Sequence, residues 1–99
     1  MPSKEDAAKY LREVSSDQCF WINNGQILKN LDELGNALGQ MGDESYCYHA
    51  NKEKNDFSRW VNDVIGDQKL ANDLLSSKNR EFAVKKVRSR LNSLKKKAE

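Results

Sequence analysis

The one proline of this 99-residue chain stands at position 2, and nothing after it forbids helix. Threonine is absent, other β-branched residues are few, and Leu, Ala, Lys, Glu and Asn dominate, a balance that favours helix over strand. Apolar residues then recur at helical spacing, segment after segment, each opened by a residue able to cap. Ser3, with Asp6 three positions on, opens a first helix carrying Ala7, Tyr10, Leu11 and Val14, ended by Ser15-Ser16-Asp17. Asn30, with Glu33 in the capping-box position, opens a helix to Met41 whose stripe is Leu31, Leu34, Leu38 and Met41, with Gly42 as the residue after its end. Asp43 caps a short helix over 44–50, and 51–54 is a loop. Asn55 opens the next helix, with Phe57, Trp60, Val61 and Val64 at i, i+3, i+4 and i+7, and Gly66 stops it. Asp67 caps a helix that turns Leu70, Ala71, Leu74 and Leu75 inward. After a break at 76–79, Phe82, Val84, Val87, Leu91 and Leu94 mark a last, longer helix that frays over 95–99.

Residues 18–29 fit no period. Cys19-Phe20-Trp21-Ile22 is too short an apolar run to assign, and Asn23-Asn24-Gly25 is a turn signal, because Asn and Gly tolerate positive φ. The segment reads as extended or irregular, with its aromatics plugged into the core. The expected fold is therefore all-α: a compact orthogonal bundle of five to six short helices, marginal singly and held by packing. Its core is expected to contain Trp21, Leu31, Leu34, Leu38, Phe57, Trp60, Val64, Leu70, Leu74, Val87 and Leu91.

Length limits the chain to one domain over 1–99, burying roughly 60–65% of its unfolded surface and leaving no room for a cleft between domains. Within it, 1–17 form the N-terminal helix, 18–77 the central body and 78–99 the C-terminal helix and tail. The longest apolar runs fall far short of the roughly 20 residues that span a bilayer, and residues 1–6 carry no apolar signal region. Cytoplasm is the expected location. Cys19 and Cys47, 28 positions apart with no CxxC, suit free thiols in a reducing compartment.

Several motifs accumulate along the body. Phe20-Trp21-x-Asn23-x-Gly25 precedes the Leu31-Leu34-Leu38-Met41 helix. Glu44-Ser45-Tyr46-x-Tyr48-His49 follows, then Asn55-Asp56-Phe57-x-x-Trp60-Val61-x-Asp63-Val64-x-Gly66-Asp67 and Leu70-Ala71. This pattern resembles a small, largely prokaryotic and especially archaeal family of helical domains of unknown function. The resemblance covers about residues 18–94 and is most specific from His49 to Ala71; the lysines at 95–97 lie outside it. It implies a free-standing helical module and brings no activity, cofactor or catalytic residue.

Charge is sorted by position. Residues 1–77 carry eight Lys/Arg against thirteen Asp/Glu, a net of −5, whereas 78–99 carry nine against two, a net of +7. Lys85, Lys86, Arg88, Arg90, Lys95, Lys96 and Lys97 flank and oppose the apolar stripe of the last helix. Such a face can align with phosphates or carboxylates and gain affinity through counterion release. It can equally be a solvated helix face, since cations near a helix C-terminus suit the macrodipole. A membrane surface is disfavoured, because no bulky apolar residue is free to insert.

Other constellations carry less. The helix–Gly66–helix unit over 55–75 has the outline of a helix-turn-helix, yet its second helix offers Asp67, Gln68, Lys69, Asn72 and Asp73, too acidic a set for a groove. It reads as a plain α-α corner. Cys19, Cys47 and His49 are at most three zinc ligands, and Cys47 and His49 point about 200° apart on a helix; the same geometry separates them as a thiol–imidazole pair. Asn23-Asn24-Gly25 lacks a phosphate-cradle pattern, and the carboxylates at 32–33 and 43–44 suit helix starts. No metal or cofactor is expected, nor a small-molecule substrate. The expected function is a non-catalytic binding or adaptor module that meets an anionic protein surface or nucleic acid through its last helix. One alternative is a sequence-tolerant nucleic-acid binder, nucleoid-type or RNA-associated. Another is an oligomerisation module presenting residues 84, 87, 91 and 94 to a partner helix.

Overall fold

Side-chain caps begin five of the six α-helices among the described residues. Ser3, Asn30, Asn55, Asp67 and Asn79 each accept a hydrogen bond from the backbone N–H three residues on, at 2.9–3.2 Å, each worth about 1 kcal/mol. The computed structural model describes residues 2–99; Met1, the first residue of the expected domain, lies outside them. The helices are α1 (Lys4–Leu11), α2 (Leu31–Gln40), α3 (Asp43–His49), α4 (Asp56–Trp60), α5 (Gln68–Leu75) and α6 (Arg80–Ala98). A 3-10 turn, Ser16–Gln18, follows α1, and a π turn, Val61–Ile65, continues α4.

The expectation of a purely helical chain is corrected between α1 and α2. There β1 (Phe20–Trp21) and β2 (Ile27–Leu28) pair antiparallel, Phe20 opposite Leu28 and Trp21 opposite Ile27. The turn signal at 23–25 closes this ribbon: Gly25 N–H donates to the Ile22 carbonyl at 2.9 Å, and Gly25 sits at φ +94. A ribbon has period two, so Phe20 and Ile22 turn inward and Trp21 turns out. Trp21, expected in the core, is 64% exposed.

The remaining expected core residues pack into one apolar cluster, with Val64 only half-buried at its margin. At the centre Phe57 stacks on Phe20 and Tyr46, with ring centroids 5.1 and 5.7 Å away. Trp60 closes one side, its indole N–H donating to the Gln18 carbonyl at 2.8 Å. Leu75, expected inward on α5, is instead exposed, as is Phe82 at the start of α6. Val14 is buried, but beyond the end of α1, where its N–H bonds the Lys29 carbonyl.

Helix ends follow local chemistry with two departures. Gly42 has φ −75 and stands before α3 rather than closing α2 in the left-handed region; the chain leaves α2 through an extended Met41. The Glu33 carboxylate reaches past the cap to the Lys29 N–H at 2.7 Å. Gly66 does adopt the left-handed conformation, at φ +92, and ends the π turn. The carbonyls freed there are taken by Arg12, whose guanidinium donates to Val64 and Ile65 at 2.9 and 3.3 Å.

α6 packs across α1, α2 and α5. Ala83, Val87, Leu91 and Leu94 face inward. Gly35 of α2 permits the close approach, since a β-carbon there would lie 3.3 Å from Val87 and 3.4 Å from Leu91. The stripe of α6 is thus committed to the chain's own core, and Val84, its fourth member, is half-buried beside it. Covered in this way, these side chains are not exposed to a partner helix, which argues against the expected alternative of oligomerisation through 84, 87, 91 and 94.

Candidate anion-binding surface

α6 is 19 residues long, about 28 Å at 1.5 Å per residue. With its inner side buried, its charges divide by azimuth and by neighbour. Arg90 lies about 40° around the helix from buried Leu94, at the edge of the interface. Its side chain is 9% exposed and forks onto Asp67, Nε to Oδ2 at 2.7 Å and Nη2 to Oδ1 at 2.9 Å. Asp67 is itself 1% exposed and also caps α5. Arg90 therefore leaves the expected binding set: its charge is neutralised inside the protein and locks α6 to α5. Lys95 is partly withdrawn as well, its Nζ lying 2.8 Å from Asp32 on α2, although both side chains remain about half exposed. Such a pair is worth no more than about 1 kcal/mol and is readily exchanged for another anion.

Five of the seven expected cations remain: Lys85, Lys86, Arg88, Lys96 and Lys97 are exposed, and no carboxylate among the described residues forms an ion pair with them. Lys85 leans over the Phe82 ring, 6.0 Å from its centroid. The Arg88 guanidinium lies over Gly39 of α2, where a β-carbon would come within 3.0 Å of Nη2. Arg80, at the other end of the helix, is tied down by Asp43 at 3.0 Å and the Leu38 carbonyl at 2.9 Å. The eight cations of α6 thus resolve into anchored ones at 80, 90 and 95 and ones without an ion pair at 85, 86, 88, 96 and 97.

A match to a family model, described as a family of unknown function, DUF5752, spans residues 6–96. The chain belongs to the DUF5752 family. The matched region is longer than the resemblance read from the motifs: it takes in most of α1 and extends to Lys95 and Lys96, so the DUF5752 unit includes most of the basic helix. No curated protein and no solved structure matches the chain.

The other candidate residues of this DUF5752 member have structural partners. His49 is buried, and its Nε2 lies 3.1 Å from the Asn23 N–H, which can only donate. Nε2 is therefore the acceptor, and Nδ1 carries the proton that it donates to Asp56 Oδ2 at 2.9 Å. Both ring nitrogens are occupied, and the imidazole pins the ribbon turn to the start of α4. Burial pushes the Asp56 carboxyl upward, but hydrogen bonds from His49 and Lys54 outweigh it and hold the pKa below its ordinary value of 3.8. Burial, and then Cys47, push the Tyr46 hydroxyl upward.

Cys47 faces away from this arrangement. It lines an open trough of about 840 Å³ between α3, the 51–55 loop and the α5–α6 junction, alongside Lys52, Glu53, Leu75, Lys78 and Arg80. No group of three or more metal-ligating side chains occurs among the described residues. Nor is any described helix long and apolar enough to cross a membrane. The surface feature that sequence reasoning missed is apolar: Trp21, Ile27 and Tyr48 are all exposed. The Asn-Asn-Gly turn between the short apolar runs 19–22 and 27–28 was the signal for Trp21 and Ile27, because it marks a hairpin and the period of two then turns alternate residues outward.

Proposed function

We propose that this chain is a non-catalytic binding module of the cytoplasm that engages an anionic partner through the outer face of α6. The observation that carries the reading is the set Lys85, Lys86, Arg88, Lys96 and Lys97: exposed, free of internal ion pairs, and mounted on a helix whose opposite side is locked into the core. A rigid helix holds its charges in register, so little backbone freedom is lost when they meet a partner. Residues 1–77 are net acidic, a charge asymmetry that helps orient the encounter with an anion.

The test is retention on a heparin matrix at low ionic strength, comparing wild type with Lys85→Glu/Lys86→Glu/Arg88→Glu. Wild type is retained and elutes with added salt, whereas the reversed variant runs through. Equal elution of the two would remove α6 as the binding element.

A further inference from the structure

The free cations on α6 form two groups, with a polar interval between them. Lys85, Lys86 and Arg88 make the first group, Lys96 and Lys97 the second. Lys85 and Lys96 are eleven residues apart, which on an α-helix is about 16 Å along the axis and only about 20° in azimuth. Both groups therefore face the same side. The residues that share that side between them are Ser89, Asn92 and Ser93, all exposed. The outer face from 85 to 97 has no apolar side chain.

That composition separates the classes of anionic partner. Protein interfaces draw their affinity from buried aromatic or aliphatic anchors inside a polar rim, and this face offers no anchor. Single-stranded nucleic acid is held by aromatic stacking platforms, and the one aromatic near the face, Phe82, lies at its edge beneath Lys85. Lysine, arginine, serine and asparagine are the side chains that contact phosphates of a duplex. The dimensions agree. A B-form major groove is about 12 Å wide between its two backbones. Two cation groups about 16 Å apart then fall on the two backbones that flank the groove, with the small Ser and Asn side chains above its floor.

Resting on the anionic-partner reading above, we infer that the partner is B-form duplex DNA. α6 lies across the major groove, Lys85, Lys86 and Arg88 on one strand's phosphates and Lys96 and Lys97 on the other's. Binding is sequence-tolerant, because the residues over the groove floor are short and carry no bidentate arginine. Five neutralised phosphates give a slope of log affinity against log salt of about −4.5, a loss of about 500-fold between about 50 and 200 mM salt.

The experiment is fluorescence anisotropy with a mixed-sequence DNA duplex, its single strand, an RNA duplex of the same sequence and polyglutamate, each titrated at several salt concentrations. The duplex is expected to bind at least tenfold more tightly than the other three. Lys85→Gln/Lys86→Gln and Lys96→Gln/Lys97→Gln should each flatten the slope by about two units. These positions are solvent-exposed, and unchanged circular dichroism and melting temperature verify that the variants fold. Single strand or polyglutamate bound as tightly as duplex overturns the DNA inference and leaves the anionic-partner reading standing. Preference for the RNA duplex, whose major groove is too narrow for side chains, overturns the groove geometry. A slope unmoved by the 96/97 change overturns the two-backbone arrangement. Absence of binding to all four probes removes both proposals.

Discussion

Replacing Arg90 with methionine leaves Asp67 as a carboxylate 1% exposed with no cation beside it. Two charge-assisted hydrogen bonds, at 2.7 and 2.9 Å, disappear together. Breaking one side of a buried pair costs about 3–5 kcal/mol, most of it the desolvation of the charge left behind. A domain of this size has a total stability of only about 5–15 kcal/mol, so the variant should lose about a fifth of it or more. In melting temperature that is a drop of about 12 °C or more. The double variant Asp67→Asn/Arg90→Gln keeps a capping side chain at position 67 and leaves no orphan charge. It should be less destabilised than Arg90→Met, and the cycle should show clear coupling. The assay is urea denaturation followed by circular dichroism, with Lys95→Ala as the control, expected to cost under about 1 kcal/mol because its pair with Asp32 is solvent-exposed. A loss below about 1 kcal/mol for Arg90→Met would refute the assignment of Arg90 to the interior. So would weaker heparin retention in a variant shown to be folded at the assay temperature, because Arg90 would then belong to the outer face.

Two further outcomes follow from burial and from titration. Trp21→Phe should leave stability within about 0.5 kcal/mol of wild type and remove the solvent-exposed part of the tryptophan emission, whereas Trp60→Ala should cost about 3–5 kcal/mol; near-equal costs would place both rings in the core. The folded pKa of Asp56 is depressed, so its contribution is complete above the ordinary carboxylate value and is lost as pH falls below about 4; Asp56→Asn should flatten that acid limb, and an unchanged acid midpoint would show that the contacts with His49 and Lys54 contribute nothing.

Much of the fold was legible because it is written in short-range terms. A cap depends on a side chain and a backbone N–H three residues away, and Ser3, Asn30, Asn55 and Asp67 all cap as their neighbourhoods predict; Asp43, expected to cap, instead lies inside α3 behind Gly42. Stripes such as Leu31-Leu34-Leu38 name the buried side of a helix in the same way. The failures come where two readings of a short segment compete. Trp21 sits in a four-residue apolar run, and hydrophobicity alone sends it inward; the pairing of 20–21 with 27–28 reverses it. Leu75 and Phe82 lie at helix ends, where apolar spacing continues but the neighbouring element does not.

On its own, the order of residues determined the helical class, the helix starts and the gathering of positive charge after residue 77. Each of these is a property of a residue and its near neighbours along the chain. It could not decide which of those positive charges are available. A helical wheel places Arg90 at the edge of the interface, but only the docking of α5 against α6 brings Asp67 across 23 positions of sequence to neutralise it. The approach of α2 does the same for Lys95, through Asp32. Charge follows from composition, whereas free charge depends on neighbours that packing selects.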